Sequence, residues 1–233
     1  MWMRRYSGLE IALLPWETNV FYVLLRGNGA AVVDPPAMPP VDSLLASRGA
    51  ALEWILVTHD DWDHTGGVDP LIGRWAPRVA RGMPDGASIV WRELEIRAID
   101  TPGHRRRHTA YYLPLPEPGF LFSGDCLLAG GCGRLNGLPP ELMYNSLKRL
   151  AALPPATEIF CGHDYLDENL RFALSVEPQN HATQERMART EMLRRAGAAV
   201  LPSTIAEELA TNPFLRARDA EEFAARRKAK DFF

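Results

Sequence analysis

The first two-thirds of the chain alternates short apolar runs with polar breaks. Residues 10–15 (EIALLP), 20–25 (VFYVLL) and 30–34 (AAVVD) are apolar, partly β-branched or aromatic, and are parted by the turn-formers Glu17-Thr18-Asn19 and Gly27-Asn28-Gly29. That pattern predicts three strands joined by tight turns. Residues 39–49 predict a helix, with Pro39 and Pro40 at its entry and Gly49 at its exit. The unbroken run Trp54-Ile55-Leu56-Val57 is expected of a strand buried on both faces. Residues 65–75 can start another helix, and 88–91, 94–99, 110–115 and 119–125 supply further strands. From about Pro139 the period changes. Helical patterns over 139–153, 167–176, 180–197 and 219–233 are interrupted by one strand at 157–162. Strands mixed with helices, followed by helices, predict an α/β domain (1–165) with a helical C-terminal domain (166–233).

Composition narrows the function classes. The 233 residues suffice for one large domain, or one domain and a small appendage. A net charge of −3 gives no basic footprint for nucleic acid or an anionic membrane surface. No apolar run approaches the roughly 18 residues of a membrane span. The first residues carry two arginines, but Glu10 and Pro15 break any signal-like apolar core, so the expectation is a mature N-terminus. Cys126, Cys132 and Cys161 fit no disulfide framework, which places the expected protein in the reducing cytoplasm. The expected partner is a small molecule, with no nucleic acid and no membrane, and the expected state is a monomer.

The candidate chemistry sits where strands end. In Thr58–His64 (THDDWDH), His59 and His64 flank Asp60, Asp61 and Asp63 directly after the 54–57 run. The string differs from the metal-binding pattern H-x-H-x-D-H only at Asp61. His104 follows Thr101-Pro102-Gly103, Asp125 follows Ser123-Gly124, and His163 follows Cys161-Gly162, each just beyond a strand. Strand ends of an α/β sheet meet along one edge, where sites are built. Gly103, Gly124 and Gly162 let the backbone turn sharply beside the candidate ligands.

THDDWDHTGG, TPGH (101–104), SGDCL (123–127) and CGHDY (161–165), in this order, resemble the metallo-β-lactamase superfamily. Within it, VVDP (32–35), GGCGRL (130–135), MYNSL (143–147), TNPFLR (211–216) and the closing RRKAKDFF resemble glyoxalase II, hydroxyacylglutathione hydrolase. The resemblance covers nearly the whole chain. It implies an αββα sandwich with a C-terminal helical domain that helps to hold glutathione. It also implies two divalent metal ions, the first held by His59, Asp61 and His104 and the second by Asp63, His64 and His163. Asp125 would bridge them, with Asp63 and Asp125 as the catalytic carboxylates. Arg134, Tyr165, Arg227 and Lys230 would hold the substrate. Arg134 stands where the family often has lysine, and Asn136 where it usually has an aromatic residue. From composition alone, Arg227 and Lys230 read as a solvated helix face.

Imidazole and carboxylate donors suit Zn²⁺ first, with Fe and Mn²⁺ as the other candidates. The three cysteines read as small buried residues rather than ligands. Metal binding lowers the pKa of water toward about 7, so a metal-bound hydroxide would attack a thioester such as S-lactoylglutathione, yielding glutathione and a hydroxy acid. Asp61 is expected to weaken the first site for Zn²⁺, because oxygen donors favour harder ions. The third carboxylate it adds to Asp63 and Asp125 would hold the cations electrostatically yet make a bound hydroxide harder to form. Two rival readings use the same pattern. One is a mononuclear-iron persulfide dioxygenase, suggested by two histidines and a carboxylate at the first site. The other is a thiol-ligand binding protein with a degenerate metal site.

Overall fold

The computed structural model describes residues 2–116 and 118–233, and the strand patterns build two six-stranded sheets. The first sheet runs in sequence order through β1 (Trp2–Tyr6), β2 (Leu9–Trp16), β3 (Asn19–Arg26), β4 (Gly29–Val33), β5 (Ala51–Val57) and β6 (Arg78–Arg81). Its first four strands are antiparallel, and β4, β5 and β6 are parallel. The second has the order β14 (Ser203–Thr204), β13 (Glu158–Cys161), β10 (Phe120–Gly124), β9 (Thr109–Leu113), β8 (Leu94–Asp100) and β7 (Ser88–Trp91). Two short strands, β11 (Leu127–Leu128) and β12 (Gly131–Cys132), form a separate hairpin. The helices are α1 (Met38–Arg48), α2 (Trp62–Thr65), α3 (Val68–Trp75), α4 (Pro140–Ala151), α5 (Leu166–Val176), α6 (His181–Arg195), α7 (Ile205–Thr211) and α8 (Ala220–Lys230).

The unbroken apolar runs have a direct cause: both faces of each sheet are covered. Along β3, Val20, Tyr22 and Leu24 enter the core between the sheets, joined from β10 by Phe120 and Phe122. The alternate residues Phe21, Val23 and Leu25 face outward into a second core with Val41, Leu44 and Leu45 of α1 and Leu71 of α3. The outer face of the second sheet, with Tyr112, Leu121 and Ile159, lies in a third core with Leu147 of α4 and Phe172, Ile205, Phe214 and Phe223 of the C-terminal region. Period-two alternation therefore sorts apolar residues between two cores rather than between core and water.

The expected α/β sandwich is present, and α1 is bounded as predicted by Pro39 and Pro40 and by Gly49 in the left-handed conformation. Three details differ from the sequence-based expectation. Strands β1 and β6 were not predicted, because WMRRY and RVAR are rich in arginine. They are the edges of their sheet, where exposed charged side chains are tolerated. The C-terminal region is not helical throughout, because β14 pairs antiparallel with β13. Among the described residues, no helix is long and apolar enough to cross a membrane.

Candidate metal centre

Four strand ends deliver the predicted residues to one edge of the sandwich. His59 follows β5, His104 follows β8, Asp125 follows β10 and His163 follows β13. Asp61 immediately precedes α2, whose single turn carries Asp63 and His64. His64 N–H and Thr65 Oγ1 both donate to the Asp61 carbonyl, at 3.0 and 2.9 Å, closing the turn.

The donor atoms form two neighbouring sets. In the first, Asp61 Oδ2 lies 3.7 Å from His59 Nε2 and 3.3 Å from His104 Nε2. In the second, Asp63 Oδ2 lies 3.8 Å from His64 Nε2 and 3.6 Å from His163 Nε2, and those two nitrogens are 3.4 Å apart. Asp125 reaches both sets, with Oδ2 3.7 Å from His104 Nε2 and 3.3 Å from His163 Nε2. Ligands about 2.0–2.1 Å from a tetrahedral metal stand about 3.3 Å from one another, so these spacings suit a divalent ion in each set. Two further observations fit the same group. His59 Nε2 and Asp125 Oδ1 are buried and find no hydrogen-bond partner among the described residues, a costly state unless a ligand completes them. A Cβ at Gly162 would lie 2.5 Å from Asp125 Oδ1 and 2.6 Å from His64 Cε1, so only glycine lets the backbone come this close.

The rear of each imidazole is fixed. A carboxylate or carbonyl oxygen can only accept, so the Nδ1–H of His64, His104 and His163 donates and leaves Nε2 facing the centre. His64 Nδ1 donates to Asp34 Oδ2 at 3.1 Å, His104 Nδ1 to the Arg134 carbonyl at 2.9 Å, and His163 Nδ1 to the Thr18 carbonyl at 3.1 Å. Thr58 Oγ1 donates to Asp34 Oδ2 at 2.6 Å and accepts from His59 Nδ1 at 2.9 Å. Asn19 Nδ2 donates to Asp63 Oδ2 at 3.1 Å.

Protonation preferences follow from this arrangement. Burial opposes charge on His64, but Asp34, Asp125 and Asp63 outweigh it and raise the ring to about 9. Burial, with His108 and His64 nearby, drives His59 far below the usual imidazole range. Burial would raise Asp125, but His163, His64 and His59 hold it far below the carboxylate range.

Asp34 and His108 lay outside the sequence-predicted site. Asp34 follows β4 as the ligands follow their strands, so the strand-end rule could have found it. His108 is buried, accepts from the Asp125 N–H at 3.3 Å, and stacks on His59 with ring centroids 5.1 Å apart. No motif marked it. His181, the other histidine outside the motifs, is exposed. The three cysteines are buried and free.

The predicted third negative charge at the first set is not left uncompensated. Arg105 grips Asp61 in a fork, Nε to Oδ1 at 2.6 Å and the terminal NH2 to Oδ2 at 2.8 Å. The sequence pattern gave no weight to Arg105, because the contact joins residues 44 positions apart.

A cavity of about 520 Å³ opens in front of the centre, with Arg134, Asn136, Tyr165, Arg227 and Lys230 in its walls. The Tyr165 ring is parallel to the His163 ring, 4.9 Å away. Arg227 and Lys230 are not a solvated face. Arg227 is buried, donates to the Cys132 carbonyl at 2.9 Å and lies over the Phe214 ring. Lys230 lies over the Phe172 and Phe233 rings and pairs with Glu168. Asn136 has φ +50° and donates to the His104 carbonyl at 3.1 Å.

Residues 14–99 match the metallo-β-lactamase superfamily, and residues 164–233 match the hydroxyacylglutathione hydrolase C-terminus. The chain is 42% identical over 232 residues to a hydroxyacylglutathione hydrolase of Methylobacillus flagellatus, covering 94% of this chain and 91% of that one. It is 44% identical over 224 residues to one from Dechloromonas aromatica, covering 91% and 83%. The chain belongs to the hydroxyacylglutathione hydrolase family. Among solved structures, ETHE1 from Myxococcus xanthus superposes with a TM-score of 0.71 at 23% identity, covering 94% of this chain and 89% of that one. TTHA1623 in a di-iron-bound form superposes with a TM-score of 0.63 at 24% identity, covering 88% and 99%. At these identities the likeness shows the fold alone. The metallo-β-lactamase fold and the His/Asp clusters support divalent metal binding by this member of the hydroxyacylglutathione hydrolase family.

Proposed function

We propose that the protein hydrolyses glutathione thioesters such as S-lactoylglutathione to glutathione and a hydroxy acid. His59, Asp61 and His104 would hold the first of two divalent ions, Asp63, His64 and His163 the second, with Asp125 shared. When bound, the ions supply Lewis acidity that activates water and polarises the thioester carbonyl. Zn²⁺ is the first candidate, because imidazole and carboxylate donors serve it without thiolate, and Fe or Mn²⁺ are the alternatives. The observation that carries this reading is the convergence of the imidazole Nε2 atoms, fixed from behind, on one centre whose His104 and His163 border a cavity walled in part by the C-terminal region.

The chain's own residues perform the remaining tasks. Tyr165, on the His163 ring, offers a flat wall and a hydroxyl beside the centre. Arg134, Arg227 and Lys230 supply the cationic groups that glutathione carboxylates require. Lys230 must exchange Glu168 for a substrate carboxylate, since the two are paired in the structure. The leaving thiol has a pKa of about 8.5 and departs as thiolate without a dedicated acid. The buried free thiols accord with a reducing compartment, the cytoplasm.

The test is hydrolysis of S-lactoylglutathione by purified protein, followed by elemental analysis. Activity should disappear on chelation and return with divalent metal. Oxygen uptake with glutathione persulfide, without thioester hydrolysis, would establish the dioxygenase reading that two histidines and Asp61 allow. Metal-loaded protein that turns over neither substrate would leave only ligand binding.

A further inference from the structure

Asp61 occupies a place where the surrounding pattern anticipates a neutral imidazole, yet its charge is answered at once by Arg105. Two of the guanidinium nitrogens meet the two carboxylate oxygens, at 2.6 and 2.8 Å. Arg105 is the residue after His104, so one short segment supplies a candidate ligand and the cation that engages another. The pair is no stability device. The Arg105 and Asp61 side chains are 44% and 23% exposed, and ion pairs this wet contribute little to folding. Its position matters more, because Asp61 Oδ2 still lies 3.3 Å from His104 Nε2 and 3.7 Å from His59 Nε2. A carboxylate oxygen has two lone pairs, so Oδ2 can accept from Arg105 and still face the first donor set.

We propose that Asp61 and Arg105 act together as one neutral ligand unit, with Arg105 a positioning residue that orients Asp61 and sets the charge of the first metal site. The inference rests on the metal-binding part of the proposed function. Asp61, Asp63 and Asp125 carry three negative charges, and Arg105 reduces the sum to two. That is the charge the same cluster would have with a neutral imidazole at position 61. The first site therefore does not differ in net charge from an all-histidine site. It differs in depending on a second residue. A histidine placed at 61 would leave a guanidinium without its partner beside a dication, and like charges at such range repel strongly outside bulk water. Replacing Arg105 by a neutral residue does the opposite, adding one uncompensated negative charge beside the cation.

The experiment is a double-mutant cycle read by Zn²⁺ binding to the full chain, in competition with a chromogenic chelator. The first-site step is identified as the one lost in His59→Ala and kept in His163→Ala. Asp61→His alone should weaken that step at least tenfold, and Arg105→Gln alone should tighten it. The double variant should return to within about threefold of the wild type. Arg105→Lys, which keeps the charge without the fork, should fall between wild type and Arg105→Gln. Thermal melting of the metal-free variants checks that each is folded. If Asp61 variants bind the first ion equally well with Arg105 present or replaced, the unit does not exist. A wild-type chain that takes up no ion would instead overturn the proposed function, so the two failures are distinguishable.

Discussion

Asp34 shows how one side chain can govern a site it does not enter. Its Oδ1 accepts from the Thr58 N–H at 2.7 Å, while Oδ2 accepts from Thr58 Oγ1 and His64 Nδ1. It thereby fixes His64 directly and His59 through Thr58, one imidazole of each donor set. Outer partners of this kind are typically worth 10–100-fold in metal affinity or activity. Asp34→Ala should therefore lower metal content and activity by about that factor, measured by elemental analysis and thioester hydrolysis. Retention of both ions with an unchanged rate would remove Asp34 from the site. At the cavity wall, the proposed role of Arg227 and Lys230 is to hold substrate by uniform binding, so Lys230→Ala should raise KM more than it lowers kcat. A charge-assisted hydrogen bond contributes about 1.5–3 kcal/mol, or roughly one to two decades in KM. An unchanged KM would show that Lys230 serves only Glu168.

Helices α6 and α7 reach the site through a buried polar network. Glu208 of α7 accepts from Arg186 of α6 at 2.7 Å, Ser203 at 2.6 Å, Asn212 at 2.8 Å and the Gly130 N–H at 2.8 Å. Asn212 also donates to the Gly131 carbonyl at 2.9 Å, so these helices hold the turn between β11 and β12. Cys132 ends that hairpin, and its carbonyl accepts from Arg227 at the cavity. Removing Glu208 leaves the buried Arg186 charge with only the partly exposed Glu207, 3.3 Å away, at a cost of about 3–5 kcal/mol. Glu208→Ala should lower unfolding stability by that amount in denaturant titration and raise KM as the hairpin loosens. The paired change Arg186→Met with Glu208→Leu should cost less, because both charges leave together. Equal losses in the two variants would show that the network matters through shape rather than charge.

The whole molecule depends on its last third for more than a substrate wall. Phe172, Ile205, Phe214 and Phe223 lie in the same core as Tyr112, Leu121 and Ile159 of the second sheet. Cutting the chain at residue 165 would strip that outer face and remove edge strand β14 as well. The shortened chain should aggregate or bind a hydrophobic dye, tested by gel filtration and dye fluorescence. A monomeric, metal-loaded fragment with native protease resistance would show instead that the first 165 residues fold alone.

The sequence alone determined the local elements and the identity of the donors. Strand ends at His59, His104, Asp125 and His163 were legible because apolar runs stop sharply at turn-forming glycine or polar residues, a signal carried within a few positions. Helix α1 was legible for the same reason, through Pro39, Pro40 and Gly49. Strands β1 and β6 were not, because an edge strand needs only one covered side and tolerates charges that erase the pattern. The tertiary structure alone decided what the donors face and what offsets their charge. Asp34 behind His64, His108 beneath Asp125, and the Arg105 fork on Asp61 each join residues far apart in sequence. Spacing along the chain does not encode such contacts, because they depend on how two sheets are laid against each other. The burial of Arg227 and Lys230 was hidden for that reason too. A charged helix reads as solvated until the structure shows the aromatic rings and the cavity that receive it.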